Sequence, residues 1–414
     1  MFFSTHAIRS LIRGVLFKNN PLYVQFYVTA RCNLTCKQCN IIYANADVRE
    51  ASLEEIDRIA ANLRKIGTAI VLLTGGEPFI RRDIAGIVNC FEGRGIHVRT
   101  QTNGLATAEQ LRDVVRAGAK DISISLDSLN PSKQDFLNGS HNRSWMKALE
   151  TIALVSEIFP PKHSFASFGT VLSPHNISEI PNIIRFATAI GWYVSLVPAH
   201  ISRPSQLFNF RSFDREMEFK PELFPLVDEI LAQCLELKRQ GLNLYDSEEY
   251  LENIALFIKG VPVRWRRKNN GECDSPALYF AMRPNGDLKV CCDHILRKSI
   301  PVWHEDFPEW YRRKRVHEAV KPYVQACSGC MYGSFPEISI TAHYPLELLK
   351  RGKVFSMTPR RKPWPLKVDE MVSIAGEIGG KYPVDDAAGQ KYLSNIDSHR
   401  EATIVYREAA GRNR

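Results

Sequence analysis

No run of this sequence reaches the roughly 18 uninterrupted apolar residues needed to cross a bilayer. The N-terminus does not mark a secretory signal either. Arg9 and Arg13 interrupt the apolar residues of Met1–Phe17, and no small-residue cleavage site follows. Internal repeats and low-complexity tracts are absent. A cytoplasmic chain is expected, at most peripheral to a membrane. Charge is not one-sided: Lys and Arg number 54 against 45 Asp and Glu, a net +9. That balance favours anionic partners without choosing among them. Part of the excess is local, in Arg264-Trp265-Arg266-Arg267-Lys268, Arg312-Arg313-Lys314-Arg315 and Arg360-Arg361-Lys362, which read as solvated basic loops. Cysteine is not distributed as in a small disulfide-framed domain. Eight of the ten cysteines fall in two groups, one before residue 40 and another after residue 270. Cys90 and Cys234 stand alone in apolar helical patterns and are expected to pack in the core.

What is present, from Tyr23 to about Val197, is strand–helix alternation. The strand candidates are Tyr23–Thr29, Ala69–Thr74, His97–Thr102, Asp121–Leu126, Phe165–Val171 and Tyr193–Val197. Ala69–Thr74 is a continuous apolar run, as expected of a strand covered on both faces. Helices are expected over Ser52–Ile66, opened by a Ser-x-x-Glu capping box, and near 84–94, 107–117, 144–159 and 180–190. Such alternation implies a parallel sheet with right-handed crossovers. A barrel and an open doubly wound sheet both fit, and in either the function collects at the C-terminal ends of the strands. Two further helices are expected, at about 221–240 and 247–259. After Pro345 the tail is basic and proline-rich, then polar, and is expected to be irregular.

Cys32, Cys36 and Cys39 form C-x3-C-x2-C directly after the first strand. Three thiolates can hold three irons of a cubane and leave the fourth open to a small molecule. Zinc competes, since C-x2-C is a common zinc half-site. No further Cys or His lies between residues 22 and 60 to complete such a site. Thr74-Gly75-Gly76-Glu77-Pro78 follows the second strand. Its glycines permit close backbone approach and are expected to leave backbone groups exposed for a ligand. Glu77 supplies a carboxylate suited to an ammonium group.

Together these residues resemble the radical S-adenosylmethionine (SAM) superfamily over roughly Tyr23 to Val197. The resemblance implies a partial (β/α)6 TIM-like barrel, with Cys32, Cys36 and Cys39 on a [4Fe–4S] cluster whose fourth iron is chelated by SAM. It places Gly75, Gly76 and Glu77 at the methionine amino group. Thr102 and Asn103, after the third strand, and Ser125 and Asp127, closing the fourth, would approach the ribose or the methionine carboxylate. Gln38 departs from the aromatic residue often found before the third cysteine, which puts a packing contact near the adenine in doubt. The implied chemistry is reductive cleavage of SAM to a 5′-deoxyadenosyl radical that takes a hydrogen atom from substrate. A flavodoxin- or ferredoxin-type protein would donate the electron.

Pro284-Asn285-Gly286-Asp287 reads as a tight turn between short strands at Tyr279–Met282 and Leu288–Cys291. That hairpin can bring Cys273 and Cys291 together, and Cys327-x2-Cys330 completes four thiolates for zinc or for a fully ligated cluster. The pattern resembles a SPASM or twitch auxiliary-cluster domain. It implies one auxiliary [4Fe–4S] cluster on Cys273, Cys291, Cys327 and Cys330, with Cys292 as the alternative to Cys291. The expected organisation is an amphipathic segment (1–21), the core barrel (22–200), a helical connection (201–270), the auxiliary-cluster domain (271–344) and the tail (345–414).

The substrate is expected to be an aminocyclitol-like or other natural product, or a peptide. The auxiliary cluster could accept an electron from the product radical, giving net oxidation, or could instead anchor substrate or relay electrons. Only 31 residues precede Cys32, so a peptide leader would be bound by a separate protein. The molybdenum-cofactor cyclase is set low, since the chain ends Ala410-Gly411-Arg412-Asn413-Arg414 rather than in Gly-Gly. Phe3, Ala7, Ile8, Leu11, Ile12 and Val15 share one helical face. That face either packs on the barrel or lies on a membrane, which would hint at a lipid-linked substrate. A zinc-containing nucleic-acid-binding module, suggested by Trp265 and Tyr311 beside basic clusters, leaves Gly75-Gly76-Glu77-Pro78 unexplained.

Overall fold

Along the first six strands one face is apolar and the other largely polar, and that division shapes the molecule. The computed structural model describes residues 1–44, 48–201, 212, 214–356 and 365–384. In chain order the elements are α1 (Thr5–Phe17), β1 (Tyr23–Thr29), α2 (Ile41–Ala44), α3 (Leu53–Ile66), β2 (Ile70–Gly75), α4 (Ile84–Glu92), β3 (His97–Thr102) and α5 (Ala108–Arg116). There follow β4 (Asp121–Ser125), α6 (Pro131–Leu137), α7 (Ser144–Ile158), β5 (Phe165–Leu172), α8 (Ile180–Ala189), β6 (Tyr193–Pro198), α9 (Phe224–Arg239) and α10 (Glu248–Ile258). The rest comprises β7 (Tyr279–Met282), β8 (Leu288–Lys289), α11 (Phe307–Arg312), α12 (Arg315–Gln325), α13 (Ser334–His343), α14 (Pro345–Ser356) and α15 (Val368–Lys381).

The sheet order is β6-β5-β4-β3-β2-β1-β7-β8. Strands β1 to β6 are parallel. Val24, Phe26, Val71, Leu73, Val98, Ile122, Phe168 and Val194 lie on one face and are fully buried with the helices. Their neighbours in sequence turn to the other face, as the period of two requires. Gln25, Leu72, Arg99, Ser123, Gly169 and Ser195, one from each of six strands, line a single cavity of about 900 Å³. A sheet whose one face encloses a common hollow is curled, so the architecture is a partial barrel open between its outer strands.

The hairpin that carries the second cysteine group is not a separate layer. β7 pairs parallel with β1, from Tyr23↔Tyr279 to Phe26↔Met282, and β8 adds antiparallel to β7. β8 stops at Lys289, short of the expected Cys291. The tail also departs from expectation. Of its described part, α14 and α15 are helical, and α15 is fastened to the barrel exterior. Met371 is fully buried, Asn182 Nδ2 donates to Tyr382 O at 2.8 Å, and Arg185 stands 3.9 Å from the centre of the Tyr382 ring. The apolar spacing of Val368, Met371, Ala375 and Ile378 carried that helix in the sequence. Residues 360–362 and 385–414 lie outside the described residues.

Asn62 on α3 ties the barrel to the segment after β8. Its side chain is buried and donates to Val302 O and His304 O, both at 2.8 Å. Asn62→Ala leaves both carbonyls short of a donor and is expected to cost about 2 kcal/mol in urea denaturation.

Candidate active site

The first cysteine loop leaves the end of β1 and is held down from beneath. Gly75 has φ 143°, and a Cβ there would lie 2.2 Å from Thr29 O. A Cβ on Gly76 would lie 2.1 Å from Arg31 O. The Gly76 and Glu77 amides donate to those same carbonyls at 2.9 and 2.8 Å. These glycines therefore let β2 press against the start of the cysteine loop, and the two amides are not free for a ligand as the sequence suggests. Gly139 does the same from the other side, since a Cβ there would meet Thr35 O at 2.4 Å.

Glu77 is engaged within the chain. Its carboxylate is buried and accepts from the Phe79 amide at 3.0 Å and the Asn103 amide at 2.7 Å. It clips the loop after β2 to the loop after β3. Burial raises its pKa to about 7. Thr102 is buried and accepts from the Gly104 amide at 3.3 Å. Asp127 is buried as well, accepting from the Val171 amide and from Gln38 Nε2, both at 2.7 Å. Gln38 thus serves as the link between the cysteine loop and β4, a partnership that no local signal announces. Asn103 is the site residue left partly accessible beside the cysteines, its Nδ2 donating to Cys32 Sγ at 3.8 Å and Asn33 Oδ1 at 2.7 Å. Ser125 is half-buried at the end of β4, opposite Gly169. Asn138, unmarked in the sequence, accepts from Cys36 Sγ at 3.5 Å.

Burial raises the pKa of all three thiols, Cys39 to about 12. Cys36 is pushed further by the nearness of Cys39 and Cys32. Three such groups ionise together only around added positive charge, which is the chemistry of a thiolate-bound iron cluster. The donor set therefore fits such a group.

The second group assembles from three segments. Cys273, Cys291, Cys327 and Cys330 line one cavity with Gly329 and Trp265. Burial raises Cys273 to about 11 and drives Cys291 and Cys330 well up. The Asp293 amide donates to Cys291 Sγ and the Gly329 amide to Cys327 Sγ, both at 3.3 Å. Cys292 turns the other way. It accepts from Tyr27 Oη at 3.2 Å and lines the barrel cavity instead. The basic stretch at 264–268 is only partly a solvated loop. Trp265 is buried and donates to Cys330 O at 3.1 Å, and Arg266 donates to Cys327 O at 2.9 Å. Tyr311 is buried too, donating to Pro276 O at 2.8 Å, so neither aromatic is presented to a nucleic acid. Among the described residues no His, Cys, Asp or Glu trio is placed to hold a single metal ion.

Two outcomes follow from this packing. Gly75→Val and Gly76→Val must displace the cysteine loop, and iron bound after anaerobic reconstitution is expected to fall by about half, as measured by colorimetric iron assay. Asp127 is shifted from 3.8 to about 7 by burial. An acid whose folded pKa is raised stabilises the fold below its unfolded pKa and loses that contribution as pH rises through the folded value. Stability of the apoprotein is therefore expected to decline from about pH 4 to pH 7, and Asp127→Asn should flatten that slope in urea titrations.

The Radical SAM superfamily model matches residues 26–187, which contain Cys32, Cys36, Cys39, the glycine turn and the residues after β3 and β4. A GTP 3′,8-cyclase of Desulforamulus reducens is 29% identical over 233 residues, 51% of this chain and 66%, just under two thirds, of that enzyme. A GTP 3′,8-cyclase of Marinobacter nauticus is 32% identical over 271 residues, 65% of this chain and 70% of that one. GTP 3′,8-cyclases, a reading expected to rank low, are thus among the relatives. The fold is similar to that of Streptococcus suis SuiB bound to the precursor peptide SuiA. Its TM-score is 0.55 at 16% identity, covering 76% of this chain and 70% of that one. On these matches the chain belongs to the radical SAM superfamily, whose members bind a [4Fe–4S] cluster and S-adenosylmethionine.

Proposed function

We propose that Cys32, Cys36 and Cys39 hold the family's [4Fe–4S] cluster. We further propose that Cys273, Cys291, Cys327 and Cys330 hold one auxiliary [4Fe–4S] cluster, and that the substrate is an organic molecule lodged in the barrel cavity. The observation that carries this reading is the gathering of four cysteines from three segments around one cavity, with Cys292 excluded from it. SAM bound at the first cluster supplies, on one-electron reduction, a 5′-deoxyadenosyl radical that takes a hydrogen atom. The chain's own part is placement. Gly75 and Gly76 hold the cysteine loop against β1, Glu77 fixes Asn103 beside Cys32, and the curled sheet keeps water and substrate in a bounded hollow.

Net oxidation is the reaction type this layout favours. Cys291 lines the four-thiol cavity and Cys292 lines the barrel cavity, so one peptide bond separates an electron-accepting site from the substrate's wall. The electron donor is read as a flavodoxin- or ferredoxin-type protein, for which the exposed run Arg312–Arg315 offers a cationic surface. No helix among the described residues is long and apolar enough to cross a membrane.

A nucleotide cyclisation is the second reading, favoured by 32% identity to a GTP 3′,8-cyclase. The cavity weighs against a triphosphate. Arg99 is already 3.4 Å from Asp121, Arg351 is paired with Glu337, and phosphate recognition calls for uncompensated cations.

Reconstituted protein is expected to carry about eight irons and to release 5′-deoxyadenosine from SAM and dithionite. Cys32→Ala, Cys36→Ala or Cys39→Ala should abolish that release. Cys291→Ala should lose about half the iron and keep the release, while Cys292→Ala should keep both. Equal iron loss in the two single variants at 291 and 292 would refute the auxiliary assignment.

A further inference from the structure

We propose that the barrel cavity takes an amphiphile, a compact polar end on a long hydrocarbon chain, drawn from an anionic membrane surface through a mouth between α1 and α14. This rests on the reading of that cavity as the substrate site and names the substrate's class.

The first observation is how α1 is docked. An amphipathic helix that merely packs on its own domain buries its apolar face. Here the buried residues are the small ones, Ala7, Ser10 and Gly14, and a Cβ on Gly14 would lie 2.0 Å from Leu22 Cδ2. The apolar side is rolled away from that contact. Ile8, Leu11, Ile12, Val15 and Leu16 line the cavity, yet Ile12 is 56% and Leu16 66% exposed. α14 reaches the same cavity through Leu348 and exposes Leu346 and Leu349. Most of the large apolar side chains exposed among the described residues belong to these two helices and the chain start. A concentration of that kind marks a partner rather than chance.

The second observation is the order of surfaces along the cavity. Tyr23, Ile70 and Asp121 are the first residues of their strands and line the cavity. The rings of Phe2 and Phe3 rest on His97, the first residue of β3, at 4.5 and 4.8 Å. The mouth therefore lies toward the N-terminal ends of the strands, opposite the cysteine loop. Its walls there combine the apolar side chains of α1 and Ile70 with the ion pairs Arg99–Asp121 and Arg351–Glu337, and further in they carry the uncharged polar Gln25, Thr74, Gln101, Ser123 and Ser195. Thr74 Oγ1 donates to Gln101 Oε1 at 3.0 Å. Gly169 keeps this inner end wide, since a Cβ there would find Ser123 Oγ at 3.4 Å and Gln101 Nε2 at 3.8 Å and nothing closer. A tail at the mouth and a polar head toward the cysteine loop match that order of surfaces.

Charge selects the source. Residues 1–20 carry Arg9, Arg13 and Lys18 and no Asp or Glu, whereas Lys350 on α14 is paired with Glu347 at 2.7 Å. Basic side chains flanking an apolar helical face suit anionic headgroups. A protein partner would cover the face but leave the hollow behind it unexplained.

The test uses reconstituted holoenzyme. Two probes are measured: cosedimentation with vesicles of phosphatidylcholine and phosphatidylglycerol, and fluorescence of dansyl-labelled undecanoic acid. Wild type is expected to bind both. The double variant Ile12→Glu, Leu16→Glu, at exposed positions, should bind vesicles about tenfold or more weakly. Gly169→Leu should keep vesicle binding and lose only the fatty-acid probe, separating cavity from surface. Val261→Glu, an equivalent change at an exposed apolar residue elsewhere, should alter neither. Three results would overturn the proposal: no binding of either probe, binding indifferent to the double variant, or a self-associated wild type that the double variant converts to monomer. Release of 5′-deoxyadenosine without lipid tests the underlying reading apart. Its failure beside retained lipid binding would sink the catalytic assignment alone, and its success without lipid binding would sink this one.

Discussion

Where β2 ends, two glycines lie so close to the carbonyls of Thr29 and Arg31 that no side chain fits between them. That contact sets the height of the cysteine loop above the barrel. It brings Asn103 to Cys32 by way of the Glu77 carboxylate and leaves Gln38 within reach of Asp127. The polar groups around the cysteines are mostly engaged with one another. They hold the thiols in register, and under the proposed assignment the chemistry would be left to the cluster the thiols hold.

The thiols share an electrostatic logic. Desolvation raises the pKa of Cys32, Cys36, Cys39, Cys273, Cys291 and Cys330 and so favours their protonated form. Positive charge among them would reverse that preference, so under the proposed assignment cluster binding would be coupled to local folding. In the second group the braces are drawn from the basic stretch at 264–268. Trp265 and Arg266 give their donors to the carbonyls of Cys330 and Cys327. A run that looks like a solvated cationic loop is, in its middle, part of the wall of a cysteine cavity.

The barrel interior follows from what the strands place inward. A (β/α) barrel packed with large branched side chains has no hollow. Here the inner face carries Gly169, Ser123, Ser195 and Gln101, and the hollow persists. Its charges, Arg99 with Asp121 and Arg351 with Glu337, are paired across neighbouring elements, so the cavity is polar without being strongly ionic. Those pairs and the helices α13 and α14 give the hollow its side wall.

By itself the sequence determined the six strands and their helices, because alternation of two and spacing of 3.6 are written in consecutive residues. It also determined the first cysteine trio, whose spacing is covalent. The tertiary structure decided what depends on distant segments meeting. β7 adds to β1 because an unpaired edge of the barrel was available to it. Cys291 rather than Cys292 joins the four-thiol cavity because the chain leaves β8 before reaching them. The polar residues after β2, β3 and β4 became clips or site walls according to which buried amide or side chain lay opposite. Hydrogen bonds between residues far apart in sequence leave no period to read, and only the folded chain brings their partners within reach.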